Sequence, residues 1–239
     1  MDEPAIRRAE LWIERLGLVP YAQALDLQRD AARRRISGDI PEDLLILVEH
    51  PPVVTLGRSA KEQHLLASPD LLAARGVELF EVERGGDVTF HGPGQLVGYP
   101  IIDLKRHRRD LHWYLRQVEE ALIVAMGEIG IACERNAGYT GVWTQGRKIA
   151  SIGVHARDWV TWHGFALNVT TDLSYFDLMV PCGIQSVTMT SVARELGDAA
   201  PSFERVADGV AAAFGRVFDL EPIAVSGVAL SQQSHAAGS

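Results

Sequence analysis

A segment rich in glycine and polar residues, residues 84–95, constrains the fold of this chain more than any other stretch. It contains four glycines, which permit close backbone approach and positive φ angles, and one proline, which fixes its own φ angle. An apolar run at residues 96–102 follows at once and is typical of a buried strand. We therefore predict a binding loop held rigidly by a buried strand, with a plain glycine-rich hairpin as the alternative. A dinucleotide-binding loop is excluded, because Gly92, Gly94 and Gly98 miss its glycine spacing by one residue.

Apolar periodicity predicts strands and helices that mingle without strict alternation. Strands are predicted at residues 11–19, 44–48, 53–56, 77–82, 96–102, 142–144, 148–154 and 165–169, with another starting at residues 131–133. Helices are predicted at residues 21–36, 111–128 and 202–218, with a weaker one at residues 61–75. The pair Gln145-Gly146 predicts a tight turn that joins two strands in a hairpin. These elements indicate a domain of mixed α/β type.

The chain shows no repeat or linker before its C-terminal end. Residues 226–239 are small and polar, a composition that is typical of disordered tails. We therefore predict a single folded domain at residues 1–220 and a C-terminal tail at residues 221–239 that is disordered.

Composition and charge exclude several classes of protein. The chain is 47% hydrophobic and 23% charged, as in ordinary globular proteins. No apolar run approaches the roughly 20 residues that span a bilayer, and the N-terminus lacks the apolar region of a signal peptide. A cytoplasmic location without a membrane partner is therefore expected. The net charge of -8 argues against nucleic-acid binding, and the eight histidines show no metal-binding spacing.

The two cysteines lie in different surroundings. Cys133 belongs to an apolar stretch with Ile131, where a cysteine usually serves as a small core residue. Cys182 lies between Pro181 and Gly183, two turn-forming residues that leave room beside the sulfur for a reacting carbonyl. We therefore interpret Cys182 as a candidate nucleophile, with a core cysteine as the alternative.

A cysteine thiol needs a base or a nearby cation to ionise at neutral pH, and Lys148 is the candidate. It begins a predicted strand that is apolar on both faces, so its ammonium is expected beside a desolvated interior. A surface lysine at a strand end is the alternative. The segment that ends at Lys148 superficially resembles a phosphate loop, but Arg147 separates the lysine from Gly146, and Ile149 replaces the hydroxyl residue that holds magnesium.

Two further polar features are candidates for a binding surface. His163 and Gly164 precede the predicted strand at residues 165–169 and could line the same pocket as the first segment. Residues 105–109, Lys-Arg-His-Arg-Arg, form a basic cluster before the long helix. Such a cluster is usually a solvated turn, and an anchor for an acidic partner is the alternative.

Four motifs together resemble the lipoyl(octanoyl) transferases of lipoate biosynthesis. They are residues 84–95, 146–153, 162–169 and 181–184, and the resemblance extends over about residues 11–218. This family shares its fold with biotin and lipoate protein ligases. The resemblance therefore implies an α/β (mixed α+β) fold, a single catalytic domain with a central mixed β-sheet flanked by helices.

The resemblance also implies a reaction. An octanoyl group would pass from octanoyl-acyl carrier protein to a lysine of lipoyl domains, those of 2-oxoacid dehydrogenase complexes and of the glycine cleavage H protein. Cys182 would carry the acyl group as a thioester, and Lys148 would act as general acid and base. Neither ATP nor a metal would be needed as a cofactor. The residues that would bind the substrate are Arg84, Gly85, Gly86, Asp87, Val88, Thr89, Phe90, His91, Ser151, Ile152, Gly153, His163, Gly164, Phe165 and Ala166.

Three other functions compete with this one. An ATP-dependent lipoate or biotin protein ligase would activate a free acid on the same fold. A cysteine acyl-thioesterase would release the acyl group to water. A non-enzymatic module that binds the carrier protein would not need Cys182 at all.

Overall fold

A computed structural model describes residues 8–183 and 187–229, apart from the side chain of Cys182. The strands of the described residues are β1 (Glu10–Leu18), β2 (Asp43–Glu49), β3 (Val53–Leu56), β4 (Glu78–Glu81), β5 (Val88–His91), β6 (Gln95–Ile101), β7 (Glu134–Asn136), β8 (Tyr139–Thr144), β9 (Arg147–Arg157), β10 (Val160–Asn168) and β11 (Glu221–Val225). The α-helices are α1 (Tyr21–Ser37), α2 (Pro69–Ala74), α3 (Leu111–Glu128), α4 (Val192–Leu196) and α5 (Phe203–Phe218). No helix among these residues combines the length and the apolar character needed to cross a bilayer.

A large mixed sheet forms the centre of the molecule, with strand order β11-β1-β2-β6-β10-β9-β8-β7. β1 pairs in parallel with both β11 and β2, and the pairs from β2 to β7 are antiparallel. A second, three-stranded sheet has the order β4-β3-β5. The predicted fold class, a mixed α/β domain with a central mixed sheet flanked by helices, is confirmed.

Both faces of the central sheet are buried, which explains the continuous apolar run of β2. Leu44 and Ile46 pack in the cluster that contains the alanine face of α1, whereas Leu45 and Leu47 pack in the cluster that contains α3 and α5. Because side chains alternate along a strand, one apolar run supplies both cores. The sheet is thus held between α1 on one face and α3 with α5 on the other.

The folded part of the chain extends beyond the predicted boundary at residue 220. Residues 221–225 form β11 at the edge of the large sheet, so the prediction that they belong to a disordered tail is wrong. Two further contacts anchor the chain after this strand: the Ala229 amide donates to the buried Glu14 carboxylate at 2.7 Å, and Arg34 donates to the Val228 carbonyl at 2.6 Å. Residues 230–239 of the predicted tail lie outside the described residues.

Two strand predictions need correction. Residues 131–133 are not a strand: the Ile131 amide still donates to the Met126 carbonyl at the end of α3, and pairing begins only at Glu134. His163 and Gly164 do not precede a strand but lie inside β10, which starts at Val160. The hairpin prediction is confirmed, because Gln145 and Gly146 both have positive φ angles between β8 and β9.

Candidate active site

A cavity of about 460 Å³ lies among β5, β6, β9 and β10, beside the start of α3 and the turn that precedes β8. The substrate-binding residues predicted from the sequence come together here from three separate segments. Those that line the cavity are Arg84, Gly85, Gly86, Asp87, Val88, Thr89, His91, Ser151, Ile152, Gly153, His163, Gly164, Phe165 and Ala166. Its volume lies within the range that is usual for small-molecule sites.

Phe90 is the predicted binding residue that does not line the cavity. Its ring stacks on Tyr175, with the ring centroids 4.5 Å apart, and meets Phe176 edge-on in a separate apolar cluster. Because side chains alternate along a strand, Phe90 points to the opposite side of β5 from Thr89 and His91. The assignment of Phe90 to the binding surface is therefore corrected: it supports β5 from behind.

The guanidinium of Arg84 fixes the glycine-rich loop to the small sheet. It donates to the Thr55 carbonyl at 2.7 Å, to the Thr55 hydroxyl at 2.8 Å and to the Gly85 carbonyl at 3.1 Å. The Gly85 amide in turn donates to the Val154 carbonyl of β9 at 2.9 Å. The backbone approach is close: a methyl group added at Gly57 would lie 2.4 Å from the Gly86 carbonyl oxygen. The loop is therefore a rigid wall, as the sequence predicts.

The rings of Tyr21, His91 and Tyr99 line the cavity, and the buried His50 packs against all three. His50 donates from Nδ1 to the Val19 carbonyl at 2.7 Å, so its Nε2 accepts from the Tyr99 hydroxyl, also at 2.7 Å. Burial lowers the pKa of His50 to about 4. Burial, with the neighbouring His50, lowers the pKa of His91 to about 3, and burial raises the pKa of Tyr21 to about 12. Tyr21 lies far from the four motifs in sequence and Tyr99 lies just after the first of them; neither was predicted as a site residue.

His163 is a strained and buried member of the wall. Its φ angle is 55°, in the left-handed region that non-glycine residues rarely adopt, and its backbone amide donates to Gln28 at 2.7 Å. Its Nε2 has no hydrogen-bond partner among the described residues and lies 3.6 Å from a carboxylate oxygen of Glu83. Burial lowers the pKa of His163, whereas the contacts of Glu83 with His163, Arg29 and Trp162 hold the pKa of Glu83 far below its usual range. Backbone strain of this kind is common at functional sites.

Lys148 is buried at the cavity wall, with 1% of its surface exposed, so the surface alternative is wrong. Its Nζ lies 5.5 Å from the centre of the Trp143 ring, a distance typical of a cation–π contact. Its main chain is bound on both sides: the Lys148 amide donates to the Thr188 carbonyl at 2.8 Å, and the Thr190 amide donates to the Lys148 carbonyl at 2.9 Å. The lysine is therefore fixed in backbone position and largely removed from water.

Gly141 provides the space that the Lys148 side chain occupies. A methyl group at Gly141 would lie 2.7 Å from Lys148 Cε and 3.2 Å from Nζ, and the φ angle of Gly141 is 141°. The Gly141 amide donates to the buried carboxylate of Glu119 at 3.1 Å, which attaches the start of β8 to α3. Gly141 was not among the predicted site residues. Its signal was a glycine in a strand interior, which often marks a close approach of another group.

The turn that carries Cys182 is the short 3₁₀ helix Pro181–Gly183. Its neighbour Gly183 packs against Asp87, because a methyl group at Gly183 would lie 2.5 Å from Asp87 Oδ2. Asp87 also lines the cavity, so the turn borders the same site as Lys148. The predicted approach of the Cys182 sulfur to Lys148 involves a side chain outside the described residues and stays a prediction. The same is true of Ile184, the last residue of the fourth motif.

The other cysteine and the basic cluster fit their simpler interpretations. Cys133 packs against the core, and burial raises the pKa of its thiol to about 12. In the basic cluster, Lys105, Arg106, His107 and Arg108 each contact a carboxylate of the same chain. These carboxylates neutralise much of the positive charge of the cluster and favour a solvated turn over an anchor for an acidic partner. No group of three or more metal-binding side chains occurs in the described part of the chain.

Comparison with known proteins agrees with the four motifs. The family model of the lipoyl protein ligase A/B catalytic domain matches residues 20–215. A protein of Rubrobacter xylanophilus named octanoyltransferase is 54% identical over 82% of this chain and 88% of its own length. The octanoyltransferase of Acidobacterium capsulatum is 52% identical over 85% of this chain and 88% of its own length. That of Gloeobacter violaceus is 49% identical over 86% of this chain and 89% of its own length.

Solved structures show the same fold at low sequence identity. The structure of lipoate-protein ligase A bound with ATP is similar with a TM-score of 0.74 at 16% identity, over 94% of this chain and 92% of that one. A structure of the bi-partite lipoate protein ligase and its E2 lipoyl domain from Thermoplasma acidophilum is similar with a TM-score of 0.73 at 16% identity. The match covers 94% of this chain and 90% of that one. The resemblance found in the sequence is therefore confirmed: the chain belongs to the lipoyl protein ligase A/B catalytic domain family and, within it, to the acyltransferases known as octanoyltransferases.

Proposed function

We propose that this chain transfers an octanoyl group from octanoyl-acyl carrier protein to a lysine of a lipoyl domain, through a thioester on Cys182. The observation that carries the proposal is the buried Lys148 at the wall of a cavity that also borders the turn of Cys182. The family supports the class of reaction, and the geometry supports the assignment of roles. The remaining cavity residues named above serve as its binding surface.

In the first half-reaction, the Cys182 sulfur attacks the carbonyl carbon of the octanoyl thioester. A new carbon–sulfur bond forms on Cys182, and the bond to the pantetheine sulfur of the carrier protein breaks. Lys148 takes the proton of the thiol and returns it to the departing pantetheine thiolate. A buried amine suits this exchange, because Lys148 lies at the cavity wall, largely removed from water that would compete for the proton.

In the second half-reaction, the amine of the acceptor lysine attacks the Cys182 thioester. An amide bond forms, the carbon–sulfur bond breaks, and the proton of the amine passes through Lys148 to the leaving Cys182 thiolate. The exchange of one thioester for another is nearly thermoneutral, and amide formation from a thioester runs downhill. The reaction therefore needs no nucleotide, and we propose that neither ATP nor a metal takes part.

The cavity supplies the binding energy for the acyl chain. Its lining includes Val97, Leu111, Leu115, Ile152 and Phe165, and burial keeps the lining His91 neutral. Burial of one CH₂ group contributes about 0.8 kcal/mol, so an octanoyl chain gains roughly 5 kcal/mol over an acetyl group. That difference discriminates against short acyl groups.

The partners follow from the two half-reactions. The donor is octanoyl-acyl carrier protein, and the acceptors are the lipoyl domains of 2-oxoacid dehydrogenase complexes and the glycine cleavage H protein. We place the reaction in the cytoplasm, which the sequence analysis led us to expect. Neither a nucleic acid nor a membrane is part of the proposal.

Intact-protein mass spectrometry tests the proposal. Wild-type protein mixed with octanoyl-acyl carrier protein, with no ATP present, should gain one octanoyl group, and a lipoyl domain added next should take that group over. Cys182→Ala should gain none, whereas Cys133→Ala should behave as wild type. An octanoyl adduct on Cys182→Ala would overturn the nucleophile assignment.

The same experiment separates the competing functions. Strict dependence on ATP with free octanoate as donor would indicate a ligase instead. Loss of the octanoyl thioester to water, without modification of a lipoyl domain, would indicate a thioesterase. Full transfer by Cys182→Ala would favour a binding module that does not use this sulfur.

A further inference from the structure

A histidine and an aspartate outside the Cys182 and Lys148 pair lie directly beside the turn of Cys182. His64 Nδ1 donates to Asp87 Oδ2 at 2.6 Å, and both side chains are largely buried. The second oxygen of Asp87 accepts from the Val88 amide at 2.8 Å, which fixes the carboxylate in orientation. A carboxylate with both oxygens engaged in this way holds the histidine ring in one position.

His64 touches the turn on both sides of Cys182. On the N-terminal side, the Val180 amide donates to the His64 carbonyl at 2.7 Å. On the C-terminal side, Gly183 packs on the ring, since a methyl group there would lie 3.0 Å from His64 Cε1 and 2.5 Å from Asp87 Oδ2. The φ angle of Gly183 is 66°, so only a glycine combines this conformation with this contact at little cost.

Residues 65–67, which follow His64, extend this contact, and residues 64–67 are called the platform below. The amides of Leu66 and Ala67 both donate to the Leu178 carbonyl, at 2.9 and 3.0 Å, and Leu65 pairs with Met179 in an isolated bridge. The chain that leads into the turn is thus bound, residue by residue, to the segment that carries His64. Asp87 joins this platform to the cavity wall.

From this geometry we propose that His64, held by Asp87, is a positioning residue for octanoyl transfer. Its ring and carbonyl hold the Pro181–Gly183 turn against β5 and so set where the Cys182 sulfur lies relative to the acyl carbonyl. The proposal rests on the proposed role of Cys182. A displacement of a reacting group by about 1 Å can cost 10²-fold in rate, so the effect of losing this support should appear in the acylation rate.

Three variants test the proposal. His64→Ala removes the ring, His64→Asn keeps a side-chain N–H that can reach Asp87, and Gln63→Ala is the control, because Gln63 is exposed in the same 3₁₀ turn. Single-turnover acylation by octanoyl-acyl carrier protein is followed over a range of carrier concentrations. We expect His64→Ala to lower the saturating rate about 10- to 100-fold with little change in half-saturation, His64→Asn to recover most of that loss, and Gln63→Ala to match wild type.

A second measurement does not depend on acyl transfer. Amide hydrogen exchange of a peptide that spans residues 178–183 should be faster in His64→Ala than in wild type and Gln63→Ala. An unchanged saturating rate in His64→Ala, or unchanged exchange, would overturn the proposal. If wild-type protein forms no octanoyl adduct, the proposed function fails, and the exchange result alone then decides whether His64 holds the turn.

Discussion

Replacement of Gly141 by alanine should impair acyl transfer through Lys148, although Gly141 itself has no reactive group. The added methyl group would lie 2.7 Å from Lys148 Cε, 3.2 Å from Nζ and 2.7 Å from the Ala150 carbonyl oxygen. Ordinary van der Waals contact begins at 3.4 Å, so the shortfall is about 0.7 Å. The Ala150 carbonyl belongs to a strand and cannot easily yield, which leaves the end of the lysine to move.

The size of the effect follows from that displacement. A shift of about 1 Å in a reacting group can cost 10²-fold in rate, so a movement of about 0.7 Å predicts a loss of roughly 10- to 100-fold in acylation. Crowding and the unfavourable φ angle should also lower the free energy of unfolding by about 1 to 3 kcal/mol. The protein should nevertheless remain folded at room temperature, since that loss lies below the stability of an ordinary domain.

The assay is single-turnover acylation of Cys182 by octanoyl-acyl carrier protein, followed by quenching and intact-protein mass spectrometry. Gly146→Ala is the matched control. It also places alanine at a positive φ angle in the same hairpin, but its methyl group would meet no atom within 4 Å. We expect Gly146→Ala to lose stability and to keep its acylation rate at temperatures where it is folded.

Equal acylation rates for Gly141→Ala and wild type would refute the reasoning. They would mean either that Lys148 tolerates the displacement or that its ammonium does not take part in the transfer. Equal losses in Gly141→Ala and Gly146→Ala would also refute it, because they would assign the effect to backbone strain instead of the contact with Lys148.

Three other predictions concern proton chemistry. Lys148→Ala should slow both half-reactions by about 10²- to 10⁴-fold in rapid-quench experiments, and an unchanged acylation rate would remove Lys148 from the mechanism. In the folded protein the pKa of His50 is about 4 and that of His91 about 3, against about 6.5 for a histidine in the unfolded chain, so the unfolded chain binds more protons below pH 6.5. Urea denaturation should therefore show that the free energy of unfolding falls by about 2 kcal/mol per histidine between pH 6.5 and 5. A free energy of unfolding that does not change with pH would contradict this. With the pKa of the Cys133 thiol at about 12, iodoacetamide at pH 7.5 should label Cys182 at least about tenfold faster, and peptide mass spectrometry showing equal labelling would exclude a distinctive Cys182 thiol.

Sequence patterns predicted the local elements well, because their causes are local. The apolar residues after Lys148 predicted a buried strand, and the structure buries residues 148–151, the lysine included, while the rest of β9 is partly exposed. Residues 111–128 showed helical periodicity, and α3 has the same bounds. The glycines and polar side chains of residues 84–95 predicted a rigid wall, which contacts with Thr55 and Val154 now explain.

The features that sequence analysis missed depend on partners that are distant along the chain. β11 contains Pro222 and exposed side chains, so it shows no strand periodicity, and it forms because β1 offers a parallel edge. The anchor at Ala229 is Glu14, which lies 215 residues earlier in the chain. The close packing at Gly141 comes from the Lys148 side chain and the Ala150 carbonyl, both on the neighbouring strand. Phe90 was assigned with its motif as a block, whereas the alternation of β5 turns its ring away.

The peptide group of Lys148 attaches it to the neighbouring chain, whereas its proposed role in acyl transfer depends on its amine. The bonds to Thr188 and Thr190 belong to the main chain and would survive any change beyond Cα. Lysine analogues of graded basicity, introduced at this one codon, could therefore be compared on an unaltered scaffold. A plot of the logarithm of the rate against the pKa of the amine would then show how far the proton has moved in the transition state of acyl transfer.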